Sequence, residues 1–200
     1  MLGLTGGYCA GKSTVAALLG ERGWTVIDVD ALGHGALEAR LAEVAALLGP
    51  DAIRPDGKPD RRYIGSRVFA DAGLLRRYEA IVHPAMFELV DRAIAAAPDA
   101  SRVCLDAAIL YAMPQAVRCS VIVEVRSPLP ARVARGRLRD GLPPLRVLQR
   151  IARQGPLRAR SRDHAARVRF LPNRGSAAGL ARRLDVLLAR EGLCGPAAKR

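Results

Sequence analysis

The segment Gly6-Gly7-Tyr8-Cys9-Ala10-Gly11-Lys12-Ser13 matches G-x-x-x-x-G-K-[ST] in full. No other stretch constrains the fold as tightly. Glycines let the backbone turn sharply enough for its N–H groups to face phosphate oxygens. A helix beginning near Lys12 adds its positive N-terminal end. Lys12 brings a point charge to the outer phosphates, and the Ser13 hydroxyl is a ligand for Mg²⁺. The motif needs a strand before it and a helix after it. Leu2–Thr5 reads as a short apolar strand, and Lys12–Glu21 has helical spacing with Val15, Leu18 and Leu19 apolar and Gly23 at its C-terminal end.

Further apolar, β-rich runs follow at Trp24–Val29, Val103–Asp106, Val121–Val125 and Val168–Leu171. Helical patterns separate them: Ala31–Leu48, a stretch from Ser127-Pro128 to about Arg139, and Ala177–Arg190. Residues 50–97 read as a mostly helical insertion, with Asp60 and Asp71 as N-caps and Pro84 in the first turn of a further helix. Gly141-Leu142-Pro143-Pro144 breaks the chain before an arginine-studded helical pair that runs to about Ala166. The tail from Gly192 to Arg200 is expected to fray. Strands alternating with helices predict an α/β fold, a parallel five-stranded sheet covered on both faces in three layers. The whole of residues 1–200 is expected to form one domain, with the helical insertion and the arginine-rich segment of about 135–166 as its two elaborations.

Two carboxylates, Asp28 and Asp30, end the second strand at the edge where open parallel sheets bind ligands. If the strand persists they share a side. Asp30 is the candidate to accept a proton from an acceptor hydroxyl, with helix capping as the alternative for either residue. Asp106 closes the third strand as a carboxylate that faces phosphates and metal would, though short strands ending in Asp are common. Arg135, Arg137, Arg139, Arg146, Arg150 and Arg153 flank the Gly-Leu-Pro-Pro break. A hinged, arginine-rich hairpin suits a lid that excludes water and stabilises a transferring phosphoryl group.

The net charge of +13, from 32 Lys and Arg against 19 Asp and Glu, favours polyanionic partners. One Trp, three Phe and four Tyr, none clustered, argue against a base-stacking nucleic-acid platform. Cys9, Cys104, Cys119 and Cys194 form no C-x-x-C pair, so neither zinc nor a disulfide framework is expected; Cys104 and Cys119 read as lying in strands. No apolar run approaches the roughly 18 residues of a membrane span, and the early motif leaves no room for a signal peptide, so a cytoplasmic protein is expected. Nothing in the pattern speaks to oligomeric state. The absence of an N-K-x-D segment disfavours a GTPase, and the length leaves no second helicase domain. A compact kinase is the class that remains.

These segments together resemble the dephospho-CoA kinase family, a P-loop NTPase fold. Gly3-Leu4-Thr5-Gly6-Gly7 with Gly11-Lys12-Ser13-Thr14 is similar to the family's opening, and Val26-Ile27-Asp28-Val29-Asp30 to its V-I-D-A-D segment. Asp56-Gly57-Lys58-Pro59-Asp60-Arg61-Arg62, His83-Pro84, Arg135, Arg139-Asp140, Arg150-Ile151-x-x-Gln154 and Asn173-x-Gly175 follow in the family's order. The chain departs from the family at Ala108-Ile109-Leu110-Tyr111-Ala112, where P-L-L-[FV]-E is usual, at Arg167-Val168, where an Ala-Asp is expected, and at Cys9, where many members have Gly.

The resemblance implies ATP-dependent, Mg²⁺-assisted phosphorylation of the ribose 3′-hydroxyl of dephospho-CoA. ATP would lie against Gly7, Tyr8, Cys9, Ala10, Gly11, Lys12, Ser13 and Thr14, with adenine near Asn173, Arg174 and Gly175. Asp30 would be the catalytic carboxylate and Arg139 the lid residue on the transferring group. Arg62 and His83 would face the acceptor in an acceptor-binding insertion. The alternatives are another small P-loop nucleotide or metabolite kinase and, less favoured by the residues, a basic nucleic-acid-binding ATPase.

Overall fold

Leu2–Gly6 forms the central strand, β1, of a five-stranded parallel sheet in the computed structural model, which describes residues 1–153, 164 and 167–193. Residues 154–163 and 165–166, Gln154 and the end of the arginine-rich segment among them, and the tail from Cys194 onward lie outside the described residues. The other strands are β2 (Thr25–Asp28), β3 (Val103–Asp106), β4 (Val121–Arg126) and β5 (Val168–Pro172). Their spatial order is β2-β3-β1-β4-β5. In register, Leu4 lies beside Asp106, Gly6 beside Val125 and Arg126 beside Pro172. The C-terminal ends of four strands therefore reach the same edge, at the residues the sequence singled out.

Eight α-helices occur among the described residues: α1 (Lys12–Glu21), α2 (Val29–Ala39), α3 (Leu41–Leu48), α4 (Arg61–Val68), α5 (Ala72–Ala95), α6 (Leu129–Asp140), α7 (Pro144–Arg153) and α8 (Ala177–Arg190). No described helix is long and apolar enough to cross a membrane. The chain divides into two units. The first comprises residues 1–27 and 97–200, and the second runs from Asp28 to Ala96.

The sheet belongs to the first unit. Strand alternation sends Leu2, Leu4, Val121, Val123 and Val125 to one face, where they pack with Val15 and Leu19 of α1 and Leu180, Leu184 and Leu188 of α8. Each such leucine contributes about 1.5–3 kcal/mol on burial. On the opposite face, a β-carbon on Gly3 would stand 2.6 Å from Leu110 Cδ2, in a tight turn after β3. Edge strand β5 carries its own protection: Pro172 has no N–H, its carbonyl accepts from Arg183 Nε at 2.9 Å, and the Val168 carbonyl accepts from Arg169 Nη1 at 3.2 Å.

The second unit is helical. Asp60 caps α4 by accepting from Tyr63 N at 2.8 Å, and Asp71 caps α5 through Gly73 N (2.6 Å) and Leu74 N (3.1 Å). Helix α2 lies against α5, where a β-carbon on Gly33 would already touch Met86 Sδ at 3.4 Å.

Four local expectations are corrected. The second strand stops at Asp28, so Asp28 and Asp30 do not alternate along one strand. Asp28 instead accepts from Ala31 N at 2.9 Å and starts α2, which holds Asp30 in its first turn. The pattern over Ala31–Leu48 is two helices that meet at Arg40. Pro84 does not begin a helix but sits inside α5. Proline removes one backbone hydrogen bond there, and the buried stripe Val82, Met86, Val90 and Ile94, at four-residue spacing, outweighs that loss. Cys119 precedes β4 rather than lying in a strand, whereas Cys104 lies in β3; both are buried.

Candidate active site

The loop from Gly7 to Gly11 turns tightly between β1 and α1. Ala10 N donates to the Gly7 carbonyl at 2.9 Å, and Cys9 (φ 56°) and Gly11 (φ 104°) both take left-handed backbone. Only glycine fits the second position: a β-carbon there would stand 2.2 Å from Asn173 Nδ2. Cys9 tolerates what Gly does at the first, at the cost of about 1–2 kcal/mol for a side chain in that region. Lys12 opens α1, and its Nζ pairs with Asp106 Oδ1 at 2.6 Å. Asp106 is buried, and Ser13 and Thr14 are exposed in the first turn of α1. The loop has the form of a phosphate cradle, with a cation at its base and a carboxylate behind the cation.

Helix α6 holds the outside of the loop. Arg132, itself buried, donates from Nε to the Tyr8 carbonyl at 2.8 Å; Arg135 Nη1 donates to the Cys9 carbonyl at 3.2 Å and to Ser127 Oγ at 3.0 Å. Arg139 follows on the same face, its guanidinium carbon 5.0 Å from the Tyr8 ring centroid. Arg139 Nε and Nη2 donate to the two oxygens of Asp140 at 2.8 and 3.2 Å, and Arg150 Nη1 of α7 donates to Asp140 Oδ2 at 3.1 Å. The Tyr8 hydroxyl donates to the same Asp140 oxygen. The bond from Arg139, then that from Tyr8, holds the Asp140 carboxyl down at about 2.

Asn173 is buried at the end of β5, and its Nδ2 donates to the Ala10 carbonyl at 2.9 Å. Its side chain thus faces the phosphate loop, while Arg174 and Gly175 beyond it are exposed. On β4, the buried Glu124 accepts from the Tyr111 hydroxyl at 2.9 Å and from Arg126 Nε at 2.8 Å. Burial, then the Glu124 charge, pushes the Tyr111 hydroxyl up. Arg126 lies 3.4 Å over the Phe170 ring.

The first unit therefore brings together the predicted Gly7, Tyr8, Cys9, Ala10, Gly11, Lys12, Ser13, Thr14, Arg139 and Asn173. Asp30, Arg62 and His83 belong to the second unit. Asp30 and Arg62 are exposed near the starts of α2 and α4, and His83 is half-buried in α5, its ring 5.5 Å from that of Phe87. Burial pushes the His83 imidazole down. The sequence reading missed Arg132 and the Tyr111–Glu124–Arg126 set. Arg132 was findable, since residues 132, 135 and 139 share one face of a helix. The buried triad has no local signature, because its members meet only through the strand register.

The family model for Dephospho-CoA kinase matches residues 1–178. A relative named Dephospho-CoA kinase from Anaeromyxobacter dehalogenans is 40% identical over 195 residues, covering 94% of this chain and 90% of that protein. One of the same name from Thermus thermophilus is 36% identical over 189 residues, covering 94% and 90%. Among solved structures, TT1252 from Thermus thermophilus superposes with a TM-score of 0.80 at 35% identity, covering 94% of this chain and 96% of that one. Dephospho-CoA kinase from Campylobacter jejuni shares the fold, with a TM-score of 0.61 at 17% identity over 95% and 96% of the two chains. With its phosphate loop, its arginine-rich helix and matches of this extent, the chain belongs to the dephospho-CoA kinase family.

Proposed function

We propose that this chain transfers the γ-phosphoryl group of ATP to the ribose 3′-hydroxyl of dephospho-CoA, giving coenzyme A and ADP in the cytoplasm. The observation that carries the reading is the Lys12–Asp106 pair at the base of a complete phosphate loop, in a chain whose residues 1–178 match that family. Backbone N–H groups of Gly7–Gly11 and the start of α1 receive the phosphate oxygens, and Lys12 neutralises the charge on the leaving side. Asn173 keeps the loop in shape and, with Arg174 and Gly175, offers the neighbouring surface to adenine.

In this reading the unit Asp28–Ala96 is the acceptor-binding part, and Arg62 and His83 face the acceptor. Asp30 orients the 3′-hydroxyl and takes its proton as the oxygen bonds to the γ-phosphorus. The bond from that phosphorus to the β–γ bridging oxygen breaks, and ADP leaves. Arg139 closes from the α6–α7 lid onto the transferring group.

The oxygen donors suit Mg²⁺. Ser13 offers an exposed hydroxyl, and Asp106 a carboxylate beside Lys12. No group of three or more His, Cys, Asp or Glu among the described residues would form an all-protein cage, and Mg²⁺ does not need one. When bound, the ion neutralises charge on the β- and γ-phosphates.

The test is ADP release from Mg-ATP in a coupled assay, with dephospho-CoA as acceptor and adenosine, AMP, gluconate and shikimate as controls. Release only with dephospho-CoA is expected. Release with another acceptor would discard the named substrate and keep a kinase.

A further inference from the structure

Tyr8 is the third residue of the phosphate loop, yet its side chain belongs to the lid. The ring enters a notch at Gly136, where a β-carbon would stand 3.1 Å from Tyr8 Cε1 and 2.8 Å from Val147 Cγ1. Helices α6 and α7 and the loop meet at that point. Guanidinium groups from both helices lie by the ring, Arg139 at 5.0 Å and Arg150 at 5.7 Å from its centroid. The hydroxyl closes the arrangement on Asp140, the carboxylate that also gathers Arg139 and Arg150. A loop residue needed only for its backbone N–H would not carry a side chain fitted to two helices.

Arg139 is engaged by Asp140 in this form of the protein. To reach a transferring phosphoryl it must exchange a carboxylate oxygen for a phosphate oxygen. Asp140 is not stranded by the exchange, since it keeps the Tyr8 hydroxyl and Arg150.

Resting on the phosphotransfer reading above, we propose that Tyr8 is a positioning residue that seats the α6–α7 lid on the phosphate loop and holds Arg139 within reach of the transferring phosphoryl. Its backbone serves ATP and its side chain serves the lid. The two roles are separable, because replacing the side chain leaves the loop N–H groups in place.

The experiment compares Tyr8→Leu and Tyr8→Phe with the unaltered chain, alone and combined with Arg139→Ala. Turnover, Mg-ATP affinity and hydrogen exchange over residues 129–153 are read for each. Tyr8→Leu lowers kcat by about 10- to 100-fold, the scale of a small misplacement of a catalytic group. ATP affinity stays within about threefold, and exchange over the two helices rises. Tyr8→Phe, which keeps the ring and loses the hydroxyl, falls between.

The effect on kcat vanishes in the Arg139→Ala background, because Tyr8 acts through that residue. Full additivity of Tyr8→Leu and Arg139→Ala, or loss of ATP affinity in step with kcat, would overturn the proposal. Hydrogen exchange needs no acceptor, so it separates this inference from the acceptor assignment. Unchanged exchange in Tyr8→Leu sinks the lid seat, whatever the substrate. No turnover of dephospho-CoA by the unaltered chain, with raised exchange in Tyr8→Leu, sinks the substrate and keeps the seat.

Discussion

Asn173 Nδ2 donates to the Ala10 carbonyl at 2.9 Å, tying the end of the last strand to the phosphate loop across 163 residues of sequence. The bond is buried, and the same amide nitrogen occupies the space a side chain on Gly11 would need. The resemblance to the family implies Asn173 as an adenine neighbour; its side chain also braces the loop.

Asn173→Ala should therefore weaken ATP and GTP binding by the same factor. Leaving a buried carbonyl unpaired costs about 1–3 kcal/mol, which is about 5- to 150-fold in affinity if all of it falls on the nucleotide-binding form. Titration calorimetry with both nucleotides checks this. A loss confined to ATP would place the effect of Asn173 at the base rather than at the loop.

Lys12 and Asp106 neutralise one another in the absence of phosphate. Asp106→Asn leaves the cation short of a partner, and the variant should melt at a lower temperature. ATP supplies the missing negative charge, so Mg-ATP should raise the melting temperature of the variant by more than that of the unaltered chain. The Mg²⁺ concentration giving half-maximal rate should also rise several-fold if Asp106 helps to hold the ion, on the scale of lost metal-site partners.

Asp28 is occupied as the cap of α2, which leaves Asp30 as the catalytic candidate of the pair. Asp30→Asn should lower kcat by about 10²- to 10⁴-fold, the usual contribution of a general base. The dissociation constant for ATP should stay within about twofold. Near-normal turnover would remove Asp30 from the reaction.

Glu124 is buried and held by Tyr111 on one oxygen and Arg126 on the other. Tyr111→Phe keeps the ring and removes a donor, so it should destabilise the protein by about 1–3 kcal/mol. Urea unfolding measures it. An unchanged midpoint would mean that water replaces the hydroxyl.

Burial holds the His83 imidazole below its ordinary value of 6.5, so the unfolded chain binds the proton more readily than the folded one. Its contribution to stability is intact above pH 6.5. It falls as pH drops through 6.5 and levels off below the lower folded-state value. His83→Gln should flatten that part of the stability curve, read as the difference in urea midpoint between the two proteins from pH 8 to 5. Parallel curves would show that the ring titrates alike in both states.

Much of this fold was legible because its signals are local. Lys12-Ser13 announces the start of α1, Asp60 and Asp71 announce helix starts, and Val103–Asp106 and Val121–Val125 alternate or run apolar as buried parallel strands do. Two outcomes turned on context. Pro84 carries a strong local preference for a helix start, and packing of α5 overrode it. Asp28 left a strand end facing ligand and a helix cap both open, and the nearest free N–H, on Ala31, decided for the cap. The loop's residues were legible one by one, whereas the brace from Asn173 and the seat at Gly136 depend on contacts over more than a hundred residues of sequence. No window of sequence contains both partners.

Edge strand β5 has a bearing on how the protein behaves in bulk. An open sheet ends on strands whose spare backbone groups invite neighbouring chains to add on, and stacking of that kind leads toward precipitates and fibrils. Here Pro172 offers no donor, and arginine side chains already occupy the carbonyls of Val168 and Pro172. The cations that make the chain strongly basic thus also discourage templated growth at this edge. Neutralising Arg183 would expose a concentrated solution to a hazard that the sheet's geometry alone would not remove.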